Sequence, residues 1–393
     1  RFRSAVTPVL PVRALEVEIR RALAESSSLV LTAETGSGKT TQVPQILLEG
    51  GAIEGEILVL EPRRLAARLV AERVAHEVAE RRRSSASAPM RGATALGGVV
   101  GFQTRFERAW SRETRIGFLT EGVFLRRLER EATLAGVGAV ILDEFHERST
   151  LADLALGITE RIQRGPRPDL KLIVMSATLD AERLAARLGA RHLHAEGRCH
   201  PVDISFRAAE SGVPPWEMAA RAMIELLDAG ELLGDALVFM PGAEEIDRSV
   251  DAIGAALRSR GERAFVTGLH GGMSPQRQDE ALRPRSERRV IVATNVAQTS
   301  ITIDGIRTVI DSGTARVHRH DPRRALDALV LEPISRAAAE QRAGRAGRTA
   351  PGRCIRLWSE QDHARRPAFD SPEVLRADLS EPLLTLAALL PGG

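Results

Sequence analysis

The sequence predicts an α/β protein built from two tandem, doubly wound parallel-sheet domains. Short apolar runs bounded by turn signals alternate with helical-period segments along most of the 393 residues. A glycine-rich turn, Ala33-Glu34-Thr35-Gly36-Ser37-Gly38-Lys39-Thr40, joins one such run, Ser28 to Thr32, to a helix from Thr41 to Glu49. The same alternation restarts beyond residue 198, this time without a second Gly-Lys-Thr.

Strand, glycine-rich turn, Gly-Lys-Thr and helix give a phosphate-binding loop its physical meaning. Backbone N–H groups of Gly36, Gly38 and Lys39 are expected to curve around a β-phosphate, with the helix N-terminus adding orphan donors and its dipole. Gly36, Ser37, Gly38, Lys39, Thr40 and Thr41 form the expected nucleotide-binding set. Lys39 reaches the β/γ-phosphates, and the Thr40 hydroxyl holds Mg²⁺.

Further strands are expected at Ile57 to Leu60, Val99 to Phe106, Ile116 to Thr120, Ala139 to Leu142 and Leu170 to Val174. The first leads into Glu61-Pro62-Arg63-Arg64, which places Arg64 on the strand-end rim, where it can meet a nucleic-acid phosphate. Thr120 opens a helix that it can cap, with the N-terminus free to face phosphate. The run Ala139 to Leu142 ends in Asp143-Glu144-Phe145-His146. Two acids at one strand end point to the same rim: Asp143 for Mg²⁺, Glu144 for the attacking water, His146 to sense nucleotide or couple domains. Met175-Ser176-Ala177-Thr178 ends the next strand. The Ser176 and Thr178 hydroxyls are placed to hydrogen-bond to those acids and report nucleotide state.

Composition narrows the function classes. Hydrophobic content of 43% and charged content of 27% describe a globular balance, and no run approaches a membrane span. The two cysteines form no metal-ligand cluster and fit a reducing, cytoplasmic setting. Lys39 and Lys171 are the only lysines among 55 basic residues, so Lys39 stands out. There is no tyrosine and aromatic content is 3%, which argues against an aromatic-rich base platform.

In the second half, strands are expected at Ala236 to Met240, Phe265 to Leu269, Arg289 to Thr294 and Val309 to Asp311. A domain of this kind without a phosphate loop can complete a site built by the first. Gln341-Arg342-Ala343-Gly344-Arg345-Ala346-Gly347-Arg348 supplies the completion. Residues three apart share a helical face, so Arg342, Arg345 and Arg348 are expected to project together. Arginines of this kind stabilise charge in phosphoryl transfer, making hydrolysis depend on domain closure. Asn295, Gln298, Thr299 and Ser300 suit backbone phosphates and sugars. Asp304 can accept from a ribose hydroxyl. Val317 to Arg319 and Ala328 to Leu331 suggest a hairpin, with Asp321-Pro322-Arg323-Arg324 near its tip.

The ordered set resembles the superfamily 2 RNA helicases of the DEAH type. Asp143-Glu144-Phe145-His146 followed by Glu147-Arg148-Ser149 is similar to the bacterial HrpB-type branch. The resemblance implies two RecA-like domains, residues 1–198 and 199–369. It also implies that residues 370–393 begin a truncated C-terminal helical/winged-helix region. The implied activity is NTP hydrolysis, with Mg²⁺ and with ATP or another NTP as substrate. Hydrolysis is coupled to 3′-to-5′ movement along single-stranded RNA and to unwinding. Lys39, Glu144, Gln341, Arg345 and Arg348 carry the catalytic roles, Arg345 and Arg348 as arginine fingers and Gln341 placing the water. Ser176 and Thr178 couple hydrolysis to RNA movement. Arg64, Thr120, Asn295 and Thr299 touch the RNA or its coupling network. The family's base sandwich maps onto Arg73 and Leu282, where an aliphatic side chain replaces the usual aromatic, so base selectivity should be poor. A monomeric core with no membrane association is expected. A DNA-directed helicase of the same superfamily and a nucleotide-gated RNA-binding adaptor are the alternatives.

Overall fold

The computed structural model describes residues 10–34, 36–51, 53–84, 96–177, 181–197, 200–208, 210–298, 303–324 and 326–389. Thr178 and Thr299 lie outside these residues. The chain divides into two compact units. One comprises Arg1–Arg198 together with the chain from Leu379 onward, the other Cys199–Asp378. Residues 370–378 thus fall with the second unit and the last helix with the first.

In the first unit the described strands are β1 (Ser28–Ala33), β2 (Glu56–Glu61), β3 (Val100–Gln103), β4 (Arg108–Ala109), β5 (Ile116–Thr120), β6 (Val137–Leu142), β7 (Lys171–Ser176) and β8 (Arg191–Ala195). The described helices are α1 (Glu16–Glu25), α2 (Lys39–Glu49), α3 (Arg64–Ser84), α4 (Glu121–Arg130), α5 (Thr150–Arg164) and α6 (Ala181–Leu188). The strands form one sheet in the order β4-β3-β5-β2-β6-β7-β1-β8, parallel except for the β3–β4 hairpin. Central strands read as unbroken apolar runs because both faces are covered. Along β6, Ala139 and Ile141 enter one core cluster while Val140 and Leu142 enter the other.

The expected strand from Val99 to Phe106 is shorter than its apolar pattern suggests, ending at Gln103. Thr104 turns the chain: its Oγ1 accepts from the N–H of Phe106 at 3.4 Å and of Glu107 at 3.2 Å.

The second unit begins with β9 (Val202–Phe206), followed by α7 (Pro215–Asp228), β10 (Asp235–Phe239), α8 (Ala243–Ser259), β11 (Ala264–Leu269), α9 (Pro275–Leu282), β12 (Arg288–Ala293) and β13 (Ile306–Asp311). The hairpin strands β14 (Thr314–Asp321) and β15 (Leu326–Pro333), then α10 (Arg336–Ala343), β16 (Gly352–Arg356) and α11 (Glu360–Arg365) complete it. Its described parallel sheet runs β11-β12-β10-β13-β16-β9, and β14 pairs antiparallel with β15. The last helix, α12 (Ser380–Leu389), packs Leu386 and Leu389 against the α4–α5 side of the first unit.

Candidate nucleotide site and nucleic-acid face

Three neighbouring parallel strands, β6, β7 and β1, deliver the chemistry of the first unit to one rim. Beyond β1 the chain turns through Gly36 and Gly38, whose φ values of 88° and 86° favour glycine. Gly38 is the N-cap of α2, so the helix begins at Lys39 itself. Ser37 is fully buried, and its Oγ has no hydrogen-bond partner among the described residues.

Lys39 is buried, with Nζ 3.1 Å from Glu144 Oε2 and 3.2 Å from Oε1. Burial alone would lower its pKa, but Glu144 and Asp143 outweigh that and hold the ammonium charged. The Thr40 hydroxyl donates to Asp143 Oδ2, and the Glu144 N–H donates to Asp143 Oδ1 at 2.7 Å. Burial and the adjoining Glu144 carboxylate push the Asp143 carboxyl up to about 6. Glu144 itself sits at φ 49°, a left-handed conformation that a non-glycine residue adopts only where its surroundings impose it. These hard oxygen donors, a hydroxyl and a carboxylate with further positions left to phosphates and water, fit Mg²⁺.

His146 links the acidic turn to β7. The Ala177 N–H donates to its Nδ1 at 3.3 Å, and the same nitrogen lies 3.5 Å from Glu144 Oε2. Burial keeps that ring neutral by lowering its pKa. On the β7 side the link runs through the Ala177 backbone, and on the other it meets Glu144. Ser176 Oγ, expected to reach the acids, is fully buried and makes no hydrogen bond among the described residues. Thr41 is buried and its hydroxyl donates back to the Gly38 carbonyl at 3.3 Å. Arg73, on the exposed side of α3, bonds Glu77 at 3.0 Å.

Arg64 and Thr120 line one concavity of about 220 Å³ with Arg105, Val123 and Arg126. Thr120 occupies the N-cap position of α4 but its hydroxyl makes no capping bond, contrary to expectation.

In the second unit the arginine run does not project from a single face. α10 ends at Ala343, and a 3-10 turn over Gly344–Gly347 changes the angular spacing. Arg342 turns inward. It is 1% exposed, bonds Asp311 Oδ1 at 2.8 Å, and lies 4.8 Å from the centroid of the Phe239 ring. Arg345 is buried with Nε donating to the Gln298 carbonyl at 2.9 Å, while Arg348 is half-buried. Gln298 also donates through Nε2 to Gln341 Oε1 at 3.1 Å and accepts from Arg342 Nε at 3.1 Å. Gln298 thus holds Gln341 and Arg342 through its side chain and Arg345 through its carbonyl. Asn295 and Asp304 are exposed, and Leu282 is half-buried at the end of α9.

Residues 16–186 match the DEAD/DEAH box helicase family, and residues 219–350 match the helicase conserved C-terminal domain. The chain belongs to the DEAD/DEAH box helicases and carries both domains of their core. Within that class it is 40% identical over 380 residues to ATP-dependent RNA helicase HrpB of Escherichia coli K12, covering 96% of the chain and 45% of HrpB. It is 38% identical over 386 residues to ATP-dependent RNA helicase HrpA of the same organism, covering 97% of the chain and 28% of HrpA. A crystal structure of Escherichia coli DEAH/RHA helicase HrpB superposes with a TM-score of 0.87 at 40% identity, over 96% of this chain and 46% of that one. The chain thus spans less than half the length of these relatives.

Proposed function

We propose that this chain is the NTP-hydrolysing core of an RNA helicase, stimulated by single-stranded RNA. We propose further that the parent activity couples hydrolysis to 3′-to-5′ movement and unwinding. The observation that carries the reading is the pairing of Lys39 with Glu144 and of Thr40 with Asp143 at one sheet rim. A phosphate-binding cation, a metal-binding hydroxyl–carboxylate pair and a candidate base meet where the fold places ligands.

Lys39 and the loop N–H groups bind the β- and γ-phosphates of a nucleoside triphosphate. Thr40 and Asp143 would hold Mg²⁺, which neutralises phosphate charge when bound. Glu144, released as Lys39 turns to phosphate, orients the attacking water and takes its proton. Arg345 and Arg348 are assigned to charge developing on the transferring phosphoryl group, and Gln341 to water placement. RNA is assigned to the Arg64–Thr120 face and to Asn295 and Thr299. The relatives' names, ATP-dependent RNA helicase, support the choice of polymer.

Steady-state ATP hydrolysis with no polymer, single-stranded RNA or single-stranded DNA tests this. Stimulation by RNA above DNA is expected. Equal or greater stimulation by DNA would move the assignment to a DNA-directed helicase. No hydrolysis under any condition would leave a nucleotide-gated binder.

A further inference from the structure

We propose that Phe106 is a stacking platform for one base of a single-stranded nucleic acid, an inference that rests on the RNA-directed reading above. In a chain with 3% aromatic residues, Phe106 is 70% exposed. It is not a loose side chain on a loose loop. The β3–β4 turn that carries it is closed by the Thr104 N–H donating to the Glu107 carbonyl at 2.8 Å. The Thr104 side chain, 4% exposed, adds the two hydroxyl bonds to the Phe106 and Glu107 N–H groups. A ring held out in water by a braced turn has paid much of its ordering entropy before any ligand arrives.

The surroundings identify the ligand chemistry. The guanidinium carbons of Arg64 and Arg105 lie 5.1 and 5.4 Å from the Phe106 ring centroid. Both arginines also line the concavity that contains Thr120 and Arg126. The N-terminus of the ten-residue helix α4 opens there, with the Thr120 hydroxyl uncommitted to capping. Glu121, the acid in that lining, accepts from Ser149 Oγ at 2.6 Å. A mostly exposed aromatic ring with two guanidinium groups near it, beside a cationic hollow, matches a base plane followed by its phosphates. It also explains why such a platform tolerates sequence: every base has a π-face, and the arginines read only backbone.

Binding of a fluorescein-labelled 12-mer of oligouridylate to the full chain, followed by anisotropy, tests the proposal. Phe106→Ala should weaken binding by about five- to 150-fold, the stacking contribution of one base. Phe106→Leu should weaken it similarly, since shape is kept and the π-face lost, whereas Phe106→Trp should retain affinity. Tryptophan emission of Phe106→Trp should be quenched by the unlabelled 12-mer. The quench should fall with the matching abasic 12-mer. An abasic oligonucleotide should also erase the difference between wild type and Phe106→Ala. If wild type binds the 12-mer and Phe106→Ala binds it within twofold, Phe106 stacks nothing. If wild type binds no RNA, the failure lies in the RNA-directed reading itself.

Discussion

Lys39 Nζ and Glu144 Oε2 lie 3.1 Å apart, with both side chains buried. The cation assigned to phosphate and the carboxylate assigned to water therefore hold each other. Glu144→Gln keeps the shape and removes the carboxylate. It should preserve nucleotide binding and lower single-turnover hydrolysis by roughly 10²–10⁴-fold. A near-normal rate would remove Glu144 from the chemistry.

Arg342 and Arg345 should separate cleanly, although only three positions apart. Arg342 closes a buried ion pair with Asp311, each side chain 1% exposed. Arg342→Met should cost the second unit about 3–5 kcal/mol by stranding the Asp311 carboxylate. The double variant with Asp311→Leu should recover much of that loss in urea melts. Arg345→Ala and Arg348→Ala should instead lower kcat with little change in nucleotide affinity by direct titration. If all arginine variants shift only stability, or only RNA affinity, the finger assignment fails.

Gln298 joins Gln341, Arg342 and Arg345 through its side chain and carbonyl. Gln298→Ala should lower kcat as Gln341→Ala does. The two together should do little more than either alone, because the pair acts as one element. Strict additivity of the two effects in log kcat would show that the amide pair is incidental.

Nucleotide choice should be relaxed. On the reading that sets Leu282 at the position of the family's aromatic ring, about 0.5–1.5 kcal/mol of ring-specific contact is missing. ATP, GTP, CTP and UTP should give similar kcat/KM. A preference for one above a hundredfold would reveal another base-reading residue.

Glu77 gives a pH signature. Burial alone would raise its carboxyl, but hydrogen bonds from Gln45, Gln42 and Arg73 hold it below the ordinary range. A depressed carboxyl stabilises the fold above its unfolded value of about 4.3 and loses that contribution as pH falls through the folded value. Glu77→Gln should therefore be less stable than wild type at pH 7. The gap should shrink as pH falls below about 4.3 and close once pH passes the lower, folded value in thermal melts. A gap unchanged down to pH 3 would mean that the carboxylate charge contributes nothing.

The interior of the fold was legible because its central strands are buried on both faces. The expected runs Ala139 to Leu142 and Ala236 to Met240 needed no partner information and fall on the strands Val137–Leu142 and Asp235–Phe239 within a residue or two at each end. Edge strands were legible unevenly: β11 matches the expected run Phe265 to Leu269, but β8 gave no such signal. β8, Arg191-His192-Leu193-His194-Ala195, is mostly exposed and pairs with β1 on one side only, so its sequence carries little apolar signal. Glycines and acids at strand ends announced the candidate nucleotide site. The inward turn of Arg342 was hidden, because spacing assumes that one helix continues where the backbone tightens at Gly344. Gln298 and Phe106 were hidden for a different reason. The sequence places Gln298 among phosphate- and sugar-binding side chains and Phe106 at the end of a strand, whereas the contacts that set them apart come from distant neighbours.

The scarcity of lysine has a practical side. The chain offers two ε-amines, Lys39 and Lys171. Lys39 is 5% exposed and held protonated by two carboxylates, which makes it a poor nucleophile. Lys171 is half-buried at the start of β7, with a long 3.5 Å bond to the Ser26 carbonyl. Amine-reactive dyes should therefore select Lys171 among the side chains, giving the first unit a nearly unique fluorescent label without engineering. Any acylation that does reach Lys39 becomes a chemical footprint of the phosphate loop, appearing when Glu144 is neutralised and disappearing when nucleotide is bound.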